Sequence, residues 1–184
     1  MFSSVTNMVN GLKTQERKIE MTQIKIRDAV DEDFDRIVTL NMLEVQQTSA
    51  MDRSRLHELA QMASYHRVAT VDGVVAAFLL AFRENAGYEN ANYAWFSARF
   101  EQFIYVDRIV VSADFGGLKI GSLLYQDLFE FARSHGVHRV TCEYNIQPPN
   151  PASHAFHQKF GFKEIGSHWV ANGTKQVSLQ VAEI

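Results

Sequence analysis

The chain is short of cysteine, proline and net charge. It holds 1 cysteine and 3 prolines in 184 residues, with a formal net charge of −3. A single cysteine excludes an intramolecular disulfide, so a reducing, cytoplasmic setting is expected. Cys142 lies in an apolar, strand-like run and reads as a small core residue rather than a nucleophile. The near-neutral charge argues against a nucleic-acid partner, since such domains carry a basic face. No apolar run approaches the roughly 20 residues that a helix needs to span a bilayer, so no membrane partner is expected. There is no repeat, low-complexity tract or linker, and the length suits one domain with a proper core.

The first twenty residues differ from the rest. Residues 1–20 hold scattered Ser, Asn, Gln, Lys and Glu with few large apolar side chains. They lack a secretory apolar core, and Glu16 and Glu20 do not suit an acid-free transit peptide. A loosely ordered extension is expected there, with the domain over residues 21–184.

Periodicity divides that domain. Residues 24–27 alternate as a strand. Asp31, Glu32 and Asp33 then suit a helix N-terminus, followed by Phe34, Ile37, Val38, Met42 and Val45 at helical spacing. A second helix is expected over 53–63, with Leu56, Leu59 and Met62 inward. Strands over 66–71 and 74–82 flank Asp72-Gly73, a hairpin signal because both turn residues need positive φ. Residues 83–101 read as a long connection rich in aromatics, among them Tyr88, Tyr93, Trp95 and Phe96. A strand over 103–111 leads through Gly116 and Gly117 into a helix with Ile120, Leu123, Leu124, Leu128 and Phe131 as its stripe. A strand over 139–144, a helix over 152–160, and a closing hairpin around Asn172-Gly173 complete the order β-α-α-β-β-β-α-β-α-β-β. The fold class is α/β, more closely α+β: one mixed sheet with helices on both faces.

Two constellations carry chemistry. In Asp114-Phe-Gly-Gly-Leu-Lys-Ile-Gly-Ser122, a strand feeds a glycine turn at a helix start. Unpaired N–H groups and the helix dipole make such a turn an anion site, while a plain tight β–α turn is the competing reading. A P-loop would need Lys where Ser122 stands, and the dinucleotide fingerprint does not match. The second constellation is Asn150-Pro-Ala-Ser153-His-Ala-Phe156-His157-Gln-Lys159-Phe160-Gly161-Phe162.

Together these residues resemble the GNAT (Gcn5-related) N-acetyltransferases. That family carries Arg/Gln-x-x-Gly-x-Gly/Ala at the turn, to which Gly121 and Gly117 correspond. Gly116 and Lys119 depart from it. The second block resembles the family's N-x-x-[A/S]-x-x-[hydrophobic]-[Y/H]-x-K-x-G-F signature. The resemblance covers nearly the whole domain and implies a mostly antiparallel seven-stranded sheet with two central strands splayed apart. It implies that Ile109, Val110 and Val111 offer backbone to a pantetheine arm. Gly116, Gly117, Leu118, Lys119, Ile120, Gly121 and Ser122 would cradle the pyrophosphate of acetyl-CoA or coenzyme A, with Lys119 as the unusual contact. Asn150 would cap its helix and bond the arm beside Ser153. His157 would stand where many members protonate the leaving thiolate.

The activity implied is acetyl transfer from acetyl-CoA to a primary amine, directly in a ternary complex. The alternative is a non-catalytic acyl-CoA-binding module. Members often dimerise, so a homodimer is carried as an expectation on that ground alone.

An amine acceptor needs a base. Asp107 and Glu143, each in an apolar run, are the candidates. Asp107 would share the strand face of Ile109. Arg108 offers Asp107 a competing ion pair, and Arg139 offers one to Glu143. Tyr144 is the reserve proton donor. His154 and His157 share a helix face, but no third ligand is spaced to join them, so no metal is expected. The aromatics of residues 83–101 line the acceptor pocket, or else pack their own segment onto the sheet or form a dimer contact.

Overall fold

Seven segments become strands: β1 (Ile24–Asp28), β2 (Tyr65–Val71), β3 (Val74–Arg83), β4 (Ile104–Val111), β5 (Arg139–Gln147), β6 (Lys163–Val170) and β7 (Lys175–Glu183). The computed structural model describes residues 22–184, so the extension expected over residues 1–20 lies outside the described residues. Asp72 and Gly73 take φ of 49° and 86°, the paired positive angles of a two-residue hairpin. The last hairpin is longer: Val170 pairs Lys175 across residues 171–174, where Ala171, Asn172 and Gly173 all take positive φ, of 50°, 54° and 80°.

The strands form one sheet in the order β1-β2-β3-β4-β5-β7-β6. Neighbours are antiparallel except β4 and β5. That parallel contact is brief: only Ile104↔Val140 and Tyr105↔Thr141 pair. Beyond Tyr105 the two strands part, as the splay implied by the resemblance requires.

Helices cover both faces. The helices α4 (Ile120–Ser134) and α5 (Pro151–Lys159) lie on one face, where Leu124, Tyr125 and Leu128 meet Val106, Val140 and Phe162. The other face takes α1 (Phe34–Leu43), α2 (Arg53–Met62) and α3 (Ala91–Ser97), with Ile37, Leu56 and Phe96 against Phe78 and Tyr105. No helix among the described residues is long and apolar enough to cross a membrane.

Four expectations are corrected. The aromatic connection contains α3, a short helix capped by Asn90, whose Oδ1 accepts from the N–H groups of Asn92 (2.8 Å) and Tyr93 (3.1 Å). Tyr and Trp are mediocre helix formers, so seven residues gave too weak a pattern to read. In α1, Met42 is exposed, and Leu40 and Asn41 take the inward positions. In α4 the buried stripe runs through Tyr125 and Phe129 instead of Leu123 and Phe131. Finally, β4 carries a bulge: Leu80 pairs Arg108 and Ala81 pairs Val106, leaving Asp107 as the extra residue. A bulge reverses the alternation of side chains beyond it. Ile109 therefore packs toward α4, whereas the Asp107 carboxylate meets Tyr88 on the opposite side.

Candidate active site

The splay leaves the β5 side of β4 without a strand partner from Val106 onward. A cavity of about 450 Å³ fills the gap, lined by Val106–Val111 on one side and by Glu143, Tyr144 and Asn145 on the other. Ile109 and Val111 also line a second cavity of about 350 Å³ over the glycine turn. A third, of about 390 Å³, opens toward α3 and the turn Ala171–Gly173. It shares Asp107, Glu143, Tyr144 and Asn145 with the first. The cleft thus reaches from the α4 and α5 side of the sheet to the α3 side, with Glu143 between.

The glycine turn is built by backbone geometry. A 3-10 turn over Ala113–Phe115 precedes Gly116, and Gly117 has φ of 82°, which favours glycine. Lys119 holds the left-handed N-cap position of α4 at φ 57°, without a side-chain cap. The N–H groups at the start of α4 therefore face the cavity with the positive end of the helix dipole behind them. Gly116, Gly117, Lys119, Ile120, Gly121 and Ser122 all line it. Leu118 does not line that cavity and is 36% exposed. A second cation stands here that the sequence reading gave no role: Lys159 Nζ donates to Ser122 Oγ at 3.0 Å.

At the far end of the cleft, Asn150 caps α5, its Oδ1 accepting from Ser153 N–H at 3.0 Å. Its Nδ2 donates to Gln47 Oε1 (2.8 Å), which also accepts from Asn145 Nδ2 (3.2 Å). The side-chain oxygen of Gln47 thereby ties the loop after α1 across the cleft mouth.

The two carboxylates differ sharply. Asp107 is saturated: Oδ1 accepts from Tyr88 O–H and Oδ2 from Arg108 Nε, both at 2.6 Å. Both ion-paired side chains are 4% exposed. Arg108 is further held by Asn41 Oδ1 (2.9 Å) and Ser49 Oγ (3.1 Å). The ion pair weighed against a base role for Asp107 is present.

The ion pair weighed against Glu143 is not, because Arg139 bonds Glu183 instead, at 2.8 Å. Glu143 Oε1 accepts from Asn92 Nδ2 (2.7 Å) and Tyr105 O–H (2.9 Å). Its Oε2 is buried without a hydrogen-bond partner. Burial pushes the Glu143 carboxyl up to about 8, against the lowering effect of these two donors.

His157 is buried on α5. Its Nδ1 lies 2.7 Å from the Ser153 carbonyl and its Nε2 2.9 Å from Tyr125 O–H. A carbonyl only accepts, so Nδ1 carries the proton and Nε2 takes one from Tyr125. Burial lowers His157 to about 4, leaving it neutral near pH 7. Tyr144 stacks on its ring at 5.5 Å, and the Tyr144 hydroxyl meets His154 Nδ1 at 2.8 Å. His154 and His157 face different partners, and no group of three His, Cys, Asp or Glu among the described residues is arranged to hold a metal.

The aromatic segment packs down rather than lining the acceptor side. Tyr88 stacks on Phe82 with centroids 4.3 Å apart, and Tyr93 and Phe96 are buried. Asn90 and Asn92 reach the cavity instead. Tyr125 and Asn92 are, with Lys159, Tyr105 and Gln47, site residues that sequence reasoning gave no role. Tyr125 sat inside a helical stripe, and Asn92 inside an unread helix.

The chain matches a known family and known folds. Residues 26–162 match the model of the acetyltransferase (GNAT) family. A stretch of 60 residues is 38% identical to phosphinothricin N-acetyltransferase of Streptomyces coelicolor; it makes up 33% of this chain and 34% of that relative. The match thus spans about a third of the curated relative's length. Among solved structures, Ard1 from Thermoplasma volcanium has a TM-score of 0.72 at 15% identity, over 88% of this chain and 97% of that one. Arabidopsis thaliana Naa50, in complex with the bisubstrate analogue CoA-Ac-MVNAL, has a TM-score of 0.66 at 13% identity, over 88% and 99%. These two structures share the fold of this chain.

Proposed function

Since the chain belongs to the acetyltransferase (GNAT) family, we propose that it transfers an acetyl group from acetyl-CoA to a primary amine, directly in a ternary complex. The observation that carries this reading is Glu143, with one free buried carboxylate oxygen, set where cavities from the two faces of the sheet meet. The residues present fit acetyl-CoA. The unpartnered edge of β4 suits pantetheine amides as an added strand would. The α4 N-terminus with Lys119 and Lys159 suits a pyrophosphate. When bound, acetyl-CoA supplies a thioester carbonyl and a thiolate leaving group.

The chain's own residues do the rest. In its ionised form Glu143 accepts the proton of the incoming ammonium at Oε2, and a carboxyl raised to about 8 is a stronger base than an ordinary one, with the ionised share growing as pH approaches 8. Asp107 is held by Arg108 and Tyr88 and fits a supporting part. His157 carries no free proton at Nε2, so the donor role implied for it does not suit its bonding. A tyrosine hydroxyl fits better. Tyr144 and Tyr125 both line the first cavity, the Tyr144 hydroxyl bonded to His154 Nδ1 and the Tyr125 hydroxyl to His157 Nε2, and Tyr144 also reaches the third cavity.

The test is thermal stabilisation by acetyl-CoA, coenzyme A and ATP, followed by free-thiol release with a panel of small-molecule, N-terminal and lysine amines. Stabilisation by both coenzyme forms and thiol release with one amine class are expected. No stabilisation by either form would overturn the reading. Stabilisation without turnover on any amine would favour the non-catalytic binding module.

A further inference from the structure

Glu143 is approached by a chain of two side chains that the acetyl-transfer reading leaves without a part. His168, on β6, lies with Nε2 2.6 Å from Asn92 Oδ1. Asn92, on α3, donates Nδ2 to Glu143 Oε1 at 2.7 Å. The ionised form of Glu143, the one a base needs, fixes the directions: a carboxylate only accepts, so the amide then turns its NH2 to Glu143 and its oxygen to His168. His168 Nε2 must then carry the proton. Asn92 is 8% exposed, and its alternative orientation would set an amide oxygen against the carboxylate.

The framework beneath these two side chains is closely packed. Gly166, two positions before His168, stands so close to Trp95 of α3 that a Cβ would fall 2.7 Å from Cζ2. A register shift between Glu164 and Gly166 leaves Ile165 as an extra residue on β6 there. The helix carrying Asn92 is thereby seated on the strand carrying His168.

We propose that His168 and Asn92 are positioning residues for Glu143: His168 fixes the Asn92 amide, which with Tyr105 pins Oε1 and leaves Oε2 free for the amine. This rests on Glu143 being the base. Its logic is that of a buried polar network in which each member has one role. The other titratable or charged groups near Glu143 are Asp107 and Arg108 of β4, Cys142 of β5 and Tyr125 of α4. None of them donates a hydrogen bond to Glu143 in place of Asn92.

The test is a pH titration of Glu143 by carboxyl NMR on protein labelled with 13C-glutamate, assigning the signal by its loss in Glu143→Gln. Removing a donor to the charged form raises a carboxyl midpoint. Asn92→Leu is expected to shift it up by about one pH unit, tenfold in the proton equilibrium. His168→Leu is expected to give a smaller upward shift, because the freed amide can turn its oxygen to the protonated acid. His168→Gln, which can still donate an N–H to Asn92 Oδ1, is expected to restore the wild-type midpoint. An unmoved midpoint in His168→Leu would overturn the inference, and His168 is partly exposed, so its variants fold even if Asn92→Leu does not. Full turnover in Glu143→Gln would instead overturn the base reading, leaving the titration to judge the positioning.

Discussion

Asp107 and Glu143 sit on adjacent strands and share a cavity, yet their environments push them to opposite roles. Asp107 neutralises a guanidinium that is itself 4% exposed. Removing one partner of a buried pair leaves the other charge uncompensated, at a cost of about 3–5 kcal/mol. Asp107→Ala is therefore expected to lower the urea midpoint sharply, and Asp107→Asn to lower it less because the amide oxygen can still accept from Arg108 or Tyr88. Chemical denaturation of both variants checks this. A catalytic Asp107 would instead show lost turnover at unchanged stability. Both carboxylates were visible in the sequence as charges within apolar runs. What separated them was not visible, because a bulge in β4 and the pairing of Arg139 with Glu183 depend on partner strands.

The glycine turn and α4 form the element on which coenzyme binding would depend. Its exposed N–H groups were legible from local sequence, since glycine spacing and a following apolar stripe need no distant partner. Lys159 was not given a role, because its approach to Ser122 depends on how α5 packs beside α4. If the two lysines hold phosphates, Lys119→Ala and Lys159→Ala should each weaken coenzyme A binding roughly threefold to tenfold. Isothermal titration at two salt concentrations checks this, with the loss smaller at high salt as screening predicts. Unchanged affinity in Lys119→Ala would remove Lys119 from the site. The helix α3 teaches the opposite lesson. Its cap residue Asn90 was in plain sight, but seven residues of modest propensity form a helix only when docked on the sheet. The pair Asn92 and His168, 76 positions apart, is a product of that docking.

Across the whole molecule, the buried titratable groups set how stability responds to pH. Glu143 is raised to about 8 from 4.5, so between those values the unfolded chain gives up a proton that the folded chain keeps. Its contribution is complete below 4.5 and is lost as pH rises through 8. His66 and His157 are each lowered to about 4 from 6.5 by burial, and their contribution is complete above 6.5 and lost as pH falls through 4. Glu143→Gln should therefore leave stability near pH 4 unchanged and raise it at pH 8 relative to wild type. Between pH 6.5 and 8 the wild type should lose stability with rising pH while the variant stays level. Denaturation curves across that range check the sign. A variant no more stable than wild type at pH 8 would mean that Glu143 is not held protonated by the fold.

The brief pairing of β4 with β5 has a mechanical consequence. Only two residue pairs join the four strands β1–β4 to the three strands β5, β7 and β6, so the sheet is really two plates on a short seam. A pantetheine arm lying along β4 would act as a rivet along that seam. Those amide hydrogens of Val106–Val111 that point away from β3 should then exchange quickly in the free protein and slow markedly with coenzyme A, while those bonded within β2, β3 and β4 change little. The ligand would serve as missing masonry as well as reactant, and the working enzyme would be most nearly one solid body only while loaded.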